Sequence, residues 1–126
     1  MRILFLTHRI PYPPNKGDKI RSYNILQYLA KHHEVYLGSL IDEKADIQYI
    51  NQLQSQVKEF VFETIQPQIK KICCLRSFFK NESISVCYFY SSRLQKKIDE
   101  LFERIDFDAL LCFSSPMAEY YFRSSH

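Results

Sequence analysis

His8 and Arg9 stand directly behind a short run of β-forming residues, Ile3-Leu4-Phe5-Leu6-Thr7, and Gly17 follows after a loop that holds Pro11, Pro13 and Pro14. A histidine at a strand end can serve as a general base or hold a ligand, and its arginine neighbour can pair with an anion. Lys16, Lys19 and Arg21 place positive charge around Gly17, with Asp18 beside it. Unpaired N–H groups at the start of a helix attract phosphates and hydroxyls, so a strand feeding a glycine at a helix opening is a place for such chemistry. Two readings stand for this loop. Either Gly17 and its neighbours accept a phosphate or a sugar hydroxyl, or Gly17 relieves a tight turn and the lysines are solvated. Neither G-x-G-x-x-G nor a Walker lysine pattern is present to decide between them. His8 and Arg9 carry the same two readings, as ligand contacts or as ordinary loop residues.

Ser114 and Ser115 close the last apolar run, again where an open α/β sheet binds ligands. They can bind a substrate, but no base lies near them in sequence to make a nucleophile. His32 and His33 adjoin Lys31 at the end of a helix, where cations complement the dipole, and this explains them better than metal binding. No other His or Cys stands at ligand spacing, so no metal site is expected. Residues Ile69 to Lys80 alternate basic and apolar side chains. Such a helix can lie in a membrane interface with its lysines near anionic lipid, or it can be an ordinary helix packed on a sheet.

The elements that position these residues alternate. Ile3 to Leu6 reads as a strand buried on both faces. A helix follows from about Asp18, which can cap it, to His32, with an apolar stripe of Ile25, Leu26, Leu29 and Ala30 extended by Ser22. Val35 to Ile41 reads as a second strand. A helix starting at Asp42 or Asp46 would turn Ile47, Ile50, Leu53 and Val57 inward. Glu59 to Glu63 is a third strand, and Pro67 fits the first turn of a helix running to about Lys80. Residues 81–90 are strand-like in composition but placed as a connection. Ser92 to Gln95 has capping-box form before a helix burying Leu94, Ile98, Leu101, Phe102 and Ile105. Ala109 to Phe113 is a fourth strand, and Pro116 begins a last partial helix. The fold class is therefore α/β, with a parallel sheet of about four strands and flanking helices.

The totals bound the rest. A chain of 126 residues, 46% hydrophobic and 25% charged, is sized for one soluble domain. Two glycines are too few for an all-β fold with many tight turns. A formal charge of +3 does not imply a nucleic-acid partner. The N-terminal apolar run is too short for a signal peptide, and no stretch approaches the roughly 20 apolar residues of a membrane span. Cys73, Cys74, Cys87 and Cys112 include no C-x-x-C pair, and four reduced, mostly buried thiols in a cytoplasmic protein are expected.

Together, the opening from Met1 through His8, Gly17 and Asn24, and the later stretch from Phe107 to Pro116, resemble family 4 retaining glycosyltransferases. Within that family the resemblance is greatest to the sugar transferases of exosortase and exopolysaccharide systems, and it spans nearly the whole chain. It implies a GT-B architecture of two Rossmann-like domains, with residues 1–126 forming an incomplete N-terminal, acceptor-side domain and the C-terminal donor-binding domain absent. A sugar would pass from a nucleotide-sugar to a glycan or lipid-linked acceptor, with retention, without metal or other cofactor. The resemblance and the residues together make His8, Arg9, Lys16, Gly17, Asp18, Arg21, Ser114 and Ser115 the substrate-binding set, with the Gly17 loop facing the donor's phosphates. A separate donor-domain chain becomes an expected partner; contact with the inner membrane face through Ile69 to Lys80 rests on the residues alone, with an ordinary packed helix as the other reading.

The chain also departs from the family pattern. Many members carry two adjacent glycines where this chain has Gly17-Asp18, and a histidine where it has Ser114-Ser115. The donor domain's spaced glutamate pair has no counterpart here. Little catalysis is therefore expected of the isolated chain. The alternatives are a stand-alone anion- or sugar-binding module and a truncated gene product without function.

Overall fold

The structure, a computed structural model, describes residues 1–81 and 83–124 and, at 77 and 78, the backbone alone. Strands β1 (Arg2–Thr7), β2 (Glu34–Ile41), β3 (Glu59–Thr64) and β4 (Ala109–Cys112) alternate with helices. Helix α1 (Gly17–His32) joins β1 to β2, and a 3-10 turn (Lys44–Tyr49) runs into α2 (Ile50–Gln54) before β3. Helices α3 (Pro67–Phe78), α4 (Ile84–Phe89) and α5 (Ser92–Arg104) precede β4, which a 3-10 turn (Ser115–Ala118) and α6 (Glu119–Phe122) follow.

All strand pairs are parallel, in the order β3-β2-β1-β4. This is the order of the first four strands of a Rossmann sheet, and the fold is Rossmann-like α/β. β1 is central, and its continuous apolar run is explained by cover on both faces. Leu4 and Leu6 join Leu94, Ile98 and Tyr120 in one core, under α5 and α6. Phe5 points the other way, with Leu26, Leu37 and Leu53, under α1 and α2. The two-residue period of a strand divides neighbouring residues between two layers in this way.

Gly38 in β2 leaves room for the Leu6 side chain of β1, beneath Ile98 of α5. A Cβ there would stand 2.6 Å from Leu6 Cδ2 and 3.7 Å from Ile98 Cδ1. Gly17 has no such need: its φ is not positive, and a Cβ would meet nothing within 4 Å. The tight-turn explanation of Gly17 therefore fails.

Several local expectations are corrected. Residues 84–89 are helical rather than strand, while Glu82 lies outside the described residues. Ile47 is exposed, because its segment is a 3-10 turn whose period of three residues rotates it off the face that an α-helical spacing assigns. Asp18 does not cap α1; Lys16 holds the cap position without a side-chain bond, and Asp18 lies in the first turn. Ser91 rather than Ser92 caps α5, its hydroxyl accepting the Leu94 N–H at 3.3 Å. All four cysteines are thiols, but only Cys74 is buried. α3 packs mainly on α4 and leaves Ile69, Ile72 and Leu75 exposed, so it is not the ordinary sheet-covering helix. Ser77 and Phe78 of the Ile69–Lys80 segment lie outside the described side chains. No helix among the described residues is long and apolar enough to cross a membrane.

Candidate functional site

The sheet order creates a crevice. From β1 the chain moves outward to β2 and β3, then returns to set β4 on the other side of β1. Ligands of open α/β sheets bind beyond the carboxyl ends of the strands at such a switch point. Here those ends carry His8 and Arg9 after β1, and Phe113 and Ser114 after β4. The Phe113 N–H donates to the Leu6 carbonyl at 2.9 Å, which holds the β4 exit beside the β1 exit. Thr7 Oγ1 donates to Ser39 Oγ at 3.0 Å, pinning the end of β1 to β2.

His8 is boxed by its neighbours. Its ring stacks parallel to Phe113 at 5.8 Å and meets the edge of Phe89, from α4, at 5.2 Å. Its Nε2 lies 3.3 Å from Asp18 Oδ2, so the short α1 first turn orients the imidazole. Nδ1 is shielded and has no hydrogen-bond partner among the described residues. The Asp18 carboxylate beside Nε2 favours a proton there and leaves Nδ1 as the lone-pair nitrogen, the arrangement in which a carboxylate sets the tautomer of a histidine base. Ser114 Oγ, on the adjacent strand end, is likewise shielded and unpartnered. Neither atom is open to water in this conformation.

Burial pushes the His8 imidazole below its usual range; Asp18 opposes this and Arg9 adds to it, so the ring is neutral near pH 7. Burial also works against ionisation of Asp18, yet the Lys19 amide, Arg9 and His8 outweigh it and hold that carboxyl low. The sign for stability follows. Because the folded state resists protonation of His8, the unfolded chain takes up that proton first as pH falls below about 6.5, and the fold loses stability there. The Asp18 contribution is lost only at lower pH, below its unfolded value. We expect the urea midpoint to fall between pH 7.5 and 5.5, and His8→Gln to flatten that change. An unaltered slope in His8→Gln would assign the effect to another group.

Arg9 bridges two carboxylates. Its guanidinium lies 3.7 Å from Asp18 and its Nε 3.1 Å from Asp42 Oδ2, an ion pair whose N–H is not aligned for a hydrogen bond. Lys16 pairs with Glu43. Lys19 is no surface cation: it is buried against Asp46, Nζ to Oδ2 2.5 Å. Arg21 is exposed along α1, and Ser115 is exposed at the start of its 3-10 turn. The fold therefore gathers His8, Arg9, Asp18 and Ser114, and spreads Lys16, Arg21 and Ser115 around them. Open space at Gly17 leaves the helix start approachable.

Sequence reasoning missed Phe89, Phe113 and Asp42 as site residues. Asp42 had a signal, since it ends β2 at the same sheet edge where His8 ends β1. Phe89 had none, because its segment read as a strand or a connection. Among the described residues no group of three or more His, Cys, Asp or Glu could hold a metal ion. Compared with family models, curated proteins and solved structures, the chain matches none of them.

Proposed function

We propose that this chain is the acceptor-side domain of a retaining sugar transferase, which passes a sugar from a nucleotide-sugar to a glycan or lipid-linked acceptor in polysaccharide assembly. The observation that carries the reading is His8 at the switch point: a neutral imidazole beside Asp18, flanked by Phe89 and Phe113, with an Nδ1 that has no hydrogen-bond partner among the described residues, as has the Ser114 hydroxyl on the adjacent strand end. Apolar rings with a few polar atoms are what a site for a neutral polyhydroxyl ligand requires. The resemblance of residues 1–24 and 107–116 to family 4 transferases supports the same reading.

A generic anion site finds less support. Lys16, Lys19 and Arg9 each face a carboxylate of the chain itself, and Asp18 already occupies the first turn of α1. In the proposed enzyme the Gly17 edge is one wall of the cleft, and a donor lobe on a separate chain or segment supplies the other. The setting of the proposed enzyme is the cytoplasm, at the inner membrane face.

The test is binding of neutral oligosaccharides, followed by NMR of the ¹⁵N-labelled chain. Shifts should concentrate at His8, Phe113 and Ser114, and His8→Ala should weaken binding about tenfold, the worth of one good hydrogen bond. Shifts confined to the Lys16–Arg21 region, and produced by phosphate but by no sugar, would overturn the reading in favour of an anion module. Rapid transfer from nucleotide-sugars by this chain alone would overturn the assignment of the donor contacts to another lobe.

A further inference from the structure

Helix α3 and the start of α4 form a surface that the sugar-site reading, which uses only Phe89 at the end of α4, leaves aside. Ile69, Ile72, Leu75 and Phe79 recur at helical spacing along α3 and its exit, and all are exposed, Leu75 by 69% and Phe79 by 87%. Ile84, at the start of α4, is exposed by 56%. Their neighbours on the helix surface are cationic: Lys71 on one side of the apolar stripe, Arg76 and Lys80 on the other, all exposed. Lys70 stands apart from this rim, bonded to the Tyr90 carbonyl. Between the two helices lies an apolar groove of about 310 Å³, lined by Cys74, Leu75, Ile84 and Tyr88, with Lys71 at its lip.

We propose that α3 and α4 form a membrane-docking surface, which lays the Ile72–Leu75–Phe79 ridge and Ile84 into the acyl boundary of an anionic bilayer and sets Lys71, Arg76 and Lys80 among its headgroups. The charge pattern selects this occupant. An apolar stripe with a cationic rim is the signature of a helix lying in the plane of a membrane interface. From residue 67 to 90 the sequence carries four cations and a single acid, Glu82. A second copy of the chain on this face would set like charges opposite one another, whereas anionic lipid complements them. The groove offers an acyl chain a place to enter beneath Lys71. α4 also spans from the exposed Ile84 to Phe89, which touches His8. Docking would therefore bring the carboxyl edge of the sheet close to the bilayer. The inference stands on this surface and holds whether or not the chain binds sugars.

The test is co-sedimentation of the full chain with vesicles of phosphatidylcholine containing phosphatidylglycerol, beside vesicles of phosphatidylcholine alone. Binding should favour the anionic vesicles and weaken as salt rises. Lys71→Ala with Arg76→Ala should lower partitioning roughly 30-fold, about fivefold for each cation removed. Ile72→Glu with Leu75→Glu should abolish it. Both side chains are exposed, so unchanged circular dichroism and an unchanged urea midpoint are expected to show that this variant folds. Equal binding by the wild type and the Glu variant would overturn the proposal, as would wild-type chain that stays in the supernatant. Concentration-dependent dimerisation lost in Ile72→Glu, without vesicle binding, would overturn it in favour of a second copy.

Discussion

Asp46→Ala should cost about 3–5 kcal/mol of stability, because it strands the Lys19 ammonium in the interior. Lys19 and Asp46 side chains are 1% and 3% exposed, and Nζ meets Oδ2 at 2.5 Å. The pair joins the first turn of α1 to the 3-10 turn after β2, so it fixes the helix whose start borders the candidate site. Removing one partner leaves a buried charge without its counter-ion. Against a typical total of about 5–15 kcal/mol, a loss of that size unfolds much of the population of a marginal domain. Urea denaturation of the wild type and Asp46→Ala measures it.

Two further variants separate the pair's net worth from the cost of breaking it. Lys19→Met with Asp46→Leu replaces the pair by apolar side chains of similar volume, and it should fold with stability near the wild type or above it. Lys16→Ala removes the neighbouring link between the same two segments, Lys16 to Glu43, which is exposed and should matter little. A double variant as unstable as Asp46→Ala would mean that the ion pair itself, rather than avoidance of a lone buried charge, holds α1 in place.

Some of this could be read from the sequence, and the limits have physical causes. The four strands were legible because each is an apolar or β-branched run bounded by polar residues, and a sheet covered on both faces permits such runs. His8 could be named as a candidate because it directly follows the central one. Lys19 was not. A lysine on the polar side of a helix is normally solvated, and its burial depends on Asp46, which only the return of the chain through β2 brings near. Residues 84–89 misled for a different reason. Ile, Val, Tyr and Phe suit a strand, but no strand edge receives them, and they pack as a helical turn on α3 and on His8 instead. Ser91 and Ser92 are equally good caps by type, and the register of α5, set by burial of Leu94 and Ile98, chose between them.

Tyr120→Phe should cost about 2–6 kcal/mol although it removes a single oxygen. Tyr120 is wholly buried, and its hydroxyl makes two bonds: it donates to the Phe89 carbonyl at 2.6 Å and accepts the Ser91 N–H at 2.8 Å. Burial holds the phenol well above its usual range, so the donor persists at any ordinary pH. Its loss leaves two backbone groups unsatisfied at the junction of α4 and α5, each worth about 1–3 kcal/mol. Tyr28→Phe, on an exposed ring, should change stability by less than about 0.5 kcal/mol. The larger variant also reaches the candidate site. Phe89, whose carbonyl Tyr120 anchors, forms the edge-to-face contact with His8, so loosening α4 should move the His8 ring resonances in Tyr120→Phe and leave them in place in Tyr28→Phe. A destabilised Tyr120→Phe with unmoved His8 resonances would show that α4 is held against the site by its own packing rather than by this hydroxyl.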